Sequence, residues 1–279
     1  MSAMKWKICA AIFLMLSIVV GGCLAEKEPS KIKLGMIKYL NASEENMNEL
    51  IKKVEQKQGE SLSDFSVVYY DNLSSLEMGL TAGNIDEMST YQCVANYIMG
   101  RDKKFVPVPI AFKLYDSFCC AFREEDAGLK NEFDAALKAM IDDGTLINLT
   151  KQHITSLTAD EEPPETEMPH INGAATIKVA VTGDLPPLDL EKADGKPAGF
   201  NTAVLAEISK RIGKNFEIIN IDSGARASAL QGKVVDVLFW ARQPDENSGM
   251  PSDVDRPAGI IFSTPYFSDK IFHLAIARE

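Results

Sequence analysis

The sequence predicts an α/β protein made of two similar halves. Three observations carry that expectation. Residues 32–153 alternate short β-branched or aromatic runs with helical apolar spacing. Residues 156–175, which include Asp160-Glu161-Glu162-Pro163-Pro164-Glu165, replace that pattern with acidic, proline-rich sequence that reads as a solvated, semi-extended linker. From Ile177 the alternation resumes in the same element order, and Leu80-Thr81-Ala82-Gly83-Asn84-Ile85-Asp86 is echoed by Leu230-Gln231-Gly232-Lys233-Val234-Val235-Asp236.

In the first half, residues 32–37 form a mostly apolar run, and residues 44–56 place Met47, Leu50, Ile51 and Val54 on one helical face. Residues 65–70 are β-branched and aromatic, hence a strand. Residues 73–83 read as a short helix closed by glycine, followed by a run from Ile85. Strands are expected at 105–109 and 117–122, and an amphipathic helix at 129–141 ends near Asp142-Asp143-Gly144 before a last helix from Thr145 to about His153. In the second half, strands are expected at 177–181, 216–221, 234–239 and 271–277, with helices at 200–212 and 225–230 and a polar loop at 243–259.

The chain has 279 residues, a formal net charge of −11, 46% hydrophobic and 25% charged residues, so it is globular in composition and offers no basic face to nucleic acid. Three histidines and five cysteines without CxxC or HExxH spacing predict no metal site, and nothing in the chain asks for a cofactor. The first 25 residues stand apart. Lys5 and Lys7 precede an apolar run from Ile8 to Val20, too short to span a bilayer core of roughly 30 Å, and the run ends in Val20-Gly21-Gly22-Cys23. This is the layout of a secretory signal, and Cys23 after Gly-Gly resembles a bacterial lipobox. Cleavage would then remove residues 1–22 and leave Cys23 as the lipid attachment site; the plainer alternative is a signal cut near Ala25. Residues 23–31 would be a tether. Cys93, Cys119 and Cys120 remain, an odd number, and they read as small buried residues rather than a disulfide framework.

The second half resembles the opening half of the type II periplasmic solute-binding proteins, in their amino-acid-binding branch, bacterial extracellular solute-binding family 3. Gly183-Asp184-Leu185-Pro186-Pro187, then Asp194-Gly195-Lys196-Pro197-Ala198-Gly199-Phe200, then Leu230–Asp236, and Arg256 six residues before Phe262-Ser263-Thr264-Pro265-Tyr266 carry the likeness. The first half resembles the closing half of the same family, through Tyr70-Asp71-Asn72-Leu73, Gly83-Asn84-Ile85-Asp86 and the crossover Ser117–Phe122 with Arg123-Glu124-Glu125-Asp126. The halves stand in reversed order. The resemblance therefore implies a bilobed periplasmic-binding-protein type II fold, circularly permuted, with lobe B at 32–112, crossover and closing helices at 113–155 packing on lobe A, the linker at 156–175, and lobe A at 176–279. Two truncated half-modules in tandem are the alternative.

It also implies a site. In the family an arginine on the first lobe pairs with the ligand carboxylate, and Arg256 holds that position; a solvated loop arginine is the blander reading. Asp184, Trp240, Ala241, Gln243, Tyr91, Asn41 and Ser43 fall at the other ligand-facing positions. Trp240 reads equally as a stacking wall or a core residue, and Asn41 or Ser43 would cap a helix whose amides face the cleft. Tyr91 replaces the aspartate that neutralises the ligand's α-amino group, so a small carboxylate-bearing solute is a firmer expectation than an amino acid. The implied protein is a lipid-anchored receptor on the extracytoplasmic face of the membrane. It would bind a small-molecule solute, pass it to an ABC-type permease and perform no chemistry. The competing functions are a dehydratase-like enzyme on the same scaffold, for which Asp184, Glu44 and Glu45 are the acid–base candidates, and a ligand-sensing lipoprotein.

Overall fold

A computed structural model describes residues 31–40, 65–110, 114–158, 161–244 and 255–277. The signal segment, Cys23, Asn41, Ser43 and the helix expected at 44–56 lie outside the described residues.

β1 (Ile32–Ile37) and β2 (Phe65–Tyr70) run parallel, with Ile32 opposite Phe65 and Ile37 opposite Tyr70. Asn72 ends the extended run: its side chain accepts the Ser75 amide at 2.9 Å and so starts α1 (Leu73–Thr81). β3 (Glu87–Tyr91) lies parallel to β1 and leads directly into α2 (Gln92–Arg101). The sequence pattern does not predict α2, because Cys93, Val94 and Ala95 form a continuous apolar run rather than a stripe. Its first turn is held by Asp269 from far along the chain, which accepts the Cys93 amide at 2.8 Å. β4 (Phe105–Val108) and β5 (Tyr115–Arg123) follow, then α3 (Ala127–Asp142) and α4 (Thr145–Thr150), which continues as a π-helical turn at Lys151–Thr155. Gly144, at φ +78°, makes the left-handed turn between these two helices that a side chain would oppose.

Past the linker come β6 (Thr176–Val181) and a small antiparallel sheet of β7 (Asp184–Leu185), β8 (Asp189–Glu191) and β9 (Pro197–Ala198). α5 (Phe200–Ile212) spans the residues its apolar spacing predicts and stops at Gly213. β10 (Asn215–Asn220), α6 (Arg226–Gln231), β11 (Val237–Pro244), β12 (Ile260–Phe262) and β13 (Phe267–Ile276) complete the order.

These strands make two sheets with one plan. The first runs β2-β1-β3-β13 with β4 on the far side of β13, and the second runs β10-β6-β11-β5 with β12 on the far side of β5. In each, three parallel strands are followed by one antiparallel strand from the other half of the chain. β13 serves both sheets: Phe267–Lys270 pair with β5, Ile271–Leu274 with β3, and His273–Ile276 with β4. The end of the chain therefore differs from the expectation of a single lobe over 176–279, since residues 271–276 complete the sheet built by residues 32–108. Both sheets belong to one unit, Ile32–Glu279.

Strand alternation places Phe118, Cys120 and Phe122 of β5 on one face of the second sheet and Cys119 and Ala121 on the other. The first face is covered by α3 and α5, with Phe133 stacked on Phe216 at 5.5 Å and edge-on to Phe122 at 5.1 Å. Cys93, Cys119 and Cys120 are free and buried. The linker is fastened rather than loose. Asn215 accepts the Ile171 amide at 2.7 Å, Glu165 bridges to Ala198, and the Glu161 carbonyl accepts from Arg101 at 2.6 Å. Among the described residues no helix is long and apolar enough to cross a membrane.

Candidate functional site

Parallel strands end where the chain turns into helices, and in open α/β sheets that edge collects polar groups and helix starts. Here those edges of the two sheets face each other. They are stitched by Asn72 donating to the Asp222 carboxylate at 3.1 Å, the Ser223 amide donating to the Asp71 carbonyl at 3.0 Å, and the Ser74 amide donating to Asp184 at 3.1 Å.

The decisive local feature is a bulge in β11. Leu238 pairs with Ala121 and Ala241 with Cys119, so β11 carries one extra residue, and Trp240 sits at φ +63°. A bulge reverses the alternation beyond it. Phe239 and Trp240 both stay on the face shared with Phe118 and Tyr91, while Ala241 turns to the opposite face beside Leu238 and Cys119. Gln243 turns the same way and accepts from the Cys119 thiol at 3.5 Å. Arg242 is thereby carried to the face of Trp240.

Around Trp240 the two sheets bring together Tyr91, edge-on to Phe118 at 4.7 Å and to Trp240 at 5.9 Å, and Tyr39, whose ring lies 3.6 Å from the Arg242 guanidinium carbon. Arg242 donates to Asp116 at 3.2 Å, and the two side chains are 4% and 0% exposed. Arg226, from the first turn of α6, stacks over Trp240 at 4.8 Å and donates to the Trp240 carbonyl at 2.7 Å. Asp255 is buried within reach of both arginines. Burial pushes the Asp116 carboxyl above its ordinary range, against the pull of Arg242. It also lifts the Tyr39 phenol to about 12. For Arg242 burial works downward, but Asp116 and the neighbouring tyrosines hold its pKa above the ordinary value. The gap enclosed between the sheets is about 20 Å³, room for one water-sized group.

Of the residues expected from the sequence, Trp240 and Tyr91 meet in this cluster. Arg256 does not: it is exposed, 5.0 Å from the Phe262 ring, with Cys119 of the opposite face in its field. Ala241 and Gln243 are turned away by the bulge. Asp184 lies apart, at the start of α1, where it lines a groove of about 710 Å³ together with Glu77, Met78 and Tyr97. Burial raises its pKa to about 6, with Asp189 and Asp222 adding to the effect and the Ser74 amide opposing it. A second groove of about 600 Å³ lies between α2 and residues 154–158. Arg226, Arg242, Asp116, Asp255 and Tyr39 are the polar and aromatic members that the sequence reading missed. A helix beginning at Arg226 after a strand was the one available signal. Among the described residues no group of three or more His, Cys, Asp or Glu side chains is placed to hold a metal ion.

No curated protein matches the chain. Among solved structures, the ligand-binding component of an ABC-type import system from Staphylococcus aureus aligns over 88% of this chain and 66% of its own length, at 11% identity and a TM-score of 0.43. The chain thus spans slightly under two thirds of that protein. A nutrient-binding protein from Burkholderia cenocepacia, bound to methionine, aligns over 88% and 84% at 14% identity and a TM-score of 0.38. A protein from Clostridium difficile aligns over 90% and 85% at 13% identity and a TM-score of 0.37. Residues 177–275, from β6 into β13, match the model of the bacterial extracellular solute-binding proteins, family 3.

Proposed function

We propose that this chain is the extracytoplasmic solute-binding protein of an ABC-type importer, anchored by a lipid on Cys23, and that it holds a small carboxylate-bearing solute between its two sheets. The single observation that carries this reading is the pair of buried guanidiniums, Arg226 and Arg242, at the facing strand edges of two sheets that share β13. A shared strand lets two bodies open and close about it. A buried guanidinium suits a carboxylate, because the planar fork gives two parallel hydrogen bonds. The matching strand orders, each sheet completed by a strand of the other half, support reading the chain as a circular permutation of the family's order.

The reading is tested by titration calorimetry of the protein against small carboxylates and amino acids. Binding is expected, and Arg242→Ala should weaken it by about 30-fold or more, the cost of truncating one partner of a buried charge pair. Unchanged affinity in that variant would place the solute elsewhere. For the anchor, Cys23→Ala should move the protein from membrane to soluble fractions. Retention at the membrane would rule out Cys23.

A further inference from the structure

We infer that the cleft around Trp240 selects an ammonium-free, acceptor-rich solute, a small carboxylate such as a 2-oxo acid, over the amino acid of the same skeleton. The inference rests on the solute-binding reading above and deepens it.

It comes from counting the hydrogen-bonding capacity left open around Trp240, where Trp240 and Thr90 line the gap and Arg226 and Arg242 lie on two of the rings that wall it. Arg226 Nε, Arg242 Nε and Trp240 Nε1 are buried without an acceptor, on residues 1%, 4% and 2% exposed. All three are N–H groups that donate and never accept. Against them stands one acceptor without a partner, Asp116 Oδ1, whose other oxygen is taken by Arg242. Thr90 Oγ1 is also open, and a hydroxyl serves either way. Each guanidinium lies on a ring that walls the enclosed gap, Arg242 on Tyr39 and Arg226 on Trp240.

Net charge does not decide the matter, because two arginines face two aspartates, Asp116 and Asp255. The surplus of donors does. Native proteins rarely leave buried donors unanswered, and a bound molecule is one way to answer them. A carboxylate with an adjacent carbonyl brings acceptors alone. An α-ammonium would bring three more donors to a group of side chains in which Asp116 Oδ1 is the one open carboxylate oxygen against three unanswered N–H groups, and the wall at Tyr91 offers it a ring and a neutral phenol. The gap of about 20 Å³ holds only a water-sized group, so the solute enters with the sheets apart and the rings close on it.

The test is titration calorimetry of the full chain with two matched pairs, pyruvate against alanine and phenylpyruvate against phenylalanine. In at least one pair the oxo acid should bind about tenfold tighter or more. Trp240→Phe keeps the ring and removes one donor, and should narrow that ratio, whereas Arg256→Ala should leave it unchanged. If the amino acid binds as tightly as its oxo acid or tighter in both pairs, the ligand class is wrong while the solute-binding reading stands. If no oxo acid binds at millimolar concentration, the class is equally overturned. Native mass spectrometry after incubation with cell extract then separates the two failures. A different retained small molecule preserves the solute-binding reading, and none retained removes it as well.

Discussion

Asp116 and Arg242 face each other at 3.2 Å with 0% and 4% of their side chains exposed, so neither charge has water to replace a lost partner. Removing one of a buried pair is costlier than the pair itself is worth. Asp116→Asn should therefore lower unfolding free energy by about 3–5 kcal/mol in urea titrations, and Asp116→Leu combined with Arg242→Met should recover much of it. A neutral single variant would mean that solvent reaches the pair. Asp184 gives a pH prediction of definite sign. Its folded pKa of about 6 lies above the unfolded value of 3.8, so its contribution to stability is fully present below about pH 4 and lost as pH rises through 6. Asp184→Asn should flatten the stability curve between pH 4 and 6 and stabilise the protein at pH 7 by on the order of 1–2 kcal/mol, allowing for partial exposure. Residue roles were the least legible part of the sequence. Counting six residues from Arg256 to Phe262 locates an arginine along the chain, but one extra residue in β11 puts Arg242 on the face of Trp240. Nothing local marks that bulge, since Trp240 at φ +63° is a conformation that side chains normally avoid.

Elements whose burial repeats along the chain were legible; those fixed by a distant strand were not. α5 and β6 carry their own apolar pattern and form where it predicts. β13 begins at Phe267, four residues before the expected Ile271, because Phe267–Lys270 find partners in β5, which the local sequence does not contain. α2 is likewise started by Asp269, far along the chain. The seat of α1 on the first sheet shows how tightly such an element is held. A Cβ on Gly79 would fall on the ring and hydroxyl of Tyr70, and one on Gly35 would strike Ile85 and Leu76. In an exposed helix Gly→Ala gains about 1 kcal/mol of propensity, but overpacking a filled contact costs about 1–3 kcal/mol. Gly79→Ala should thus be destabilising on balance by roughly 1 kcal/mol in urea titration, and Tyr70→Ala in the same chain should turn the alanine into a gain. A stabilising single variant would show that helix and strand can separate there freely.

At the scale of the whole molecule, the order of the halves can be separated from the fold they build. β13 is antiparallel to β3 and β1 is parallel to it, so the end of β13 and the start of β1 lie at the same edge of the first sheet with β3 between them. Two strand spacings are about 10 Å, a gap that a linker of about four residues covers with slack. The opposite cut falls in residues 166–175, which form no strand or helix and fill no position in the two sheets. A chain rearranged to run from Ala175 through Ala277, across such a linker, and on from Ile32 to Ala174 should therefore keep both sheets, the buried Arg242–Asp116 pair and the linker's own contacts. Its far-ultraviolet circular dichroism and solute affinity should match those of the natural order, with a stability change of about 1–2 kcal/mol from the altered loop closures. Contacts across the sheets are indifferent to which half is made first, because each sheet already takes its fourth strand from the other half. A rearranged chain that folds but binds nothing would mean that the joint between β13 and β1 sets the cleft geometry. One that fails to fold would mean that the natural ends, or the connection at 166–175, carry structure that the two sheets depend on.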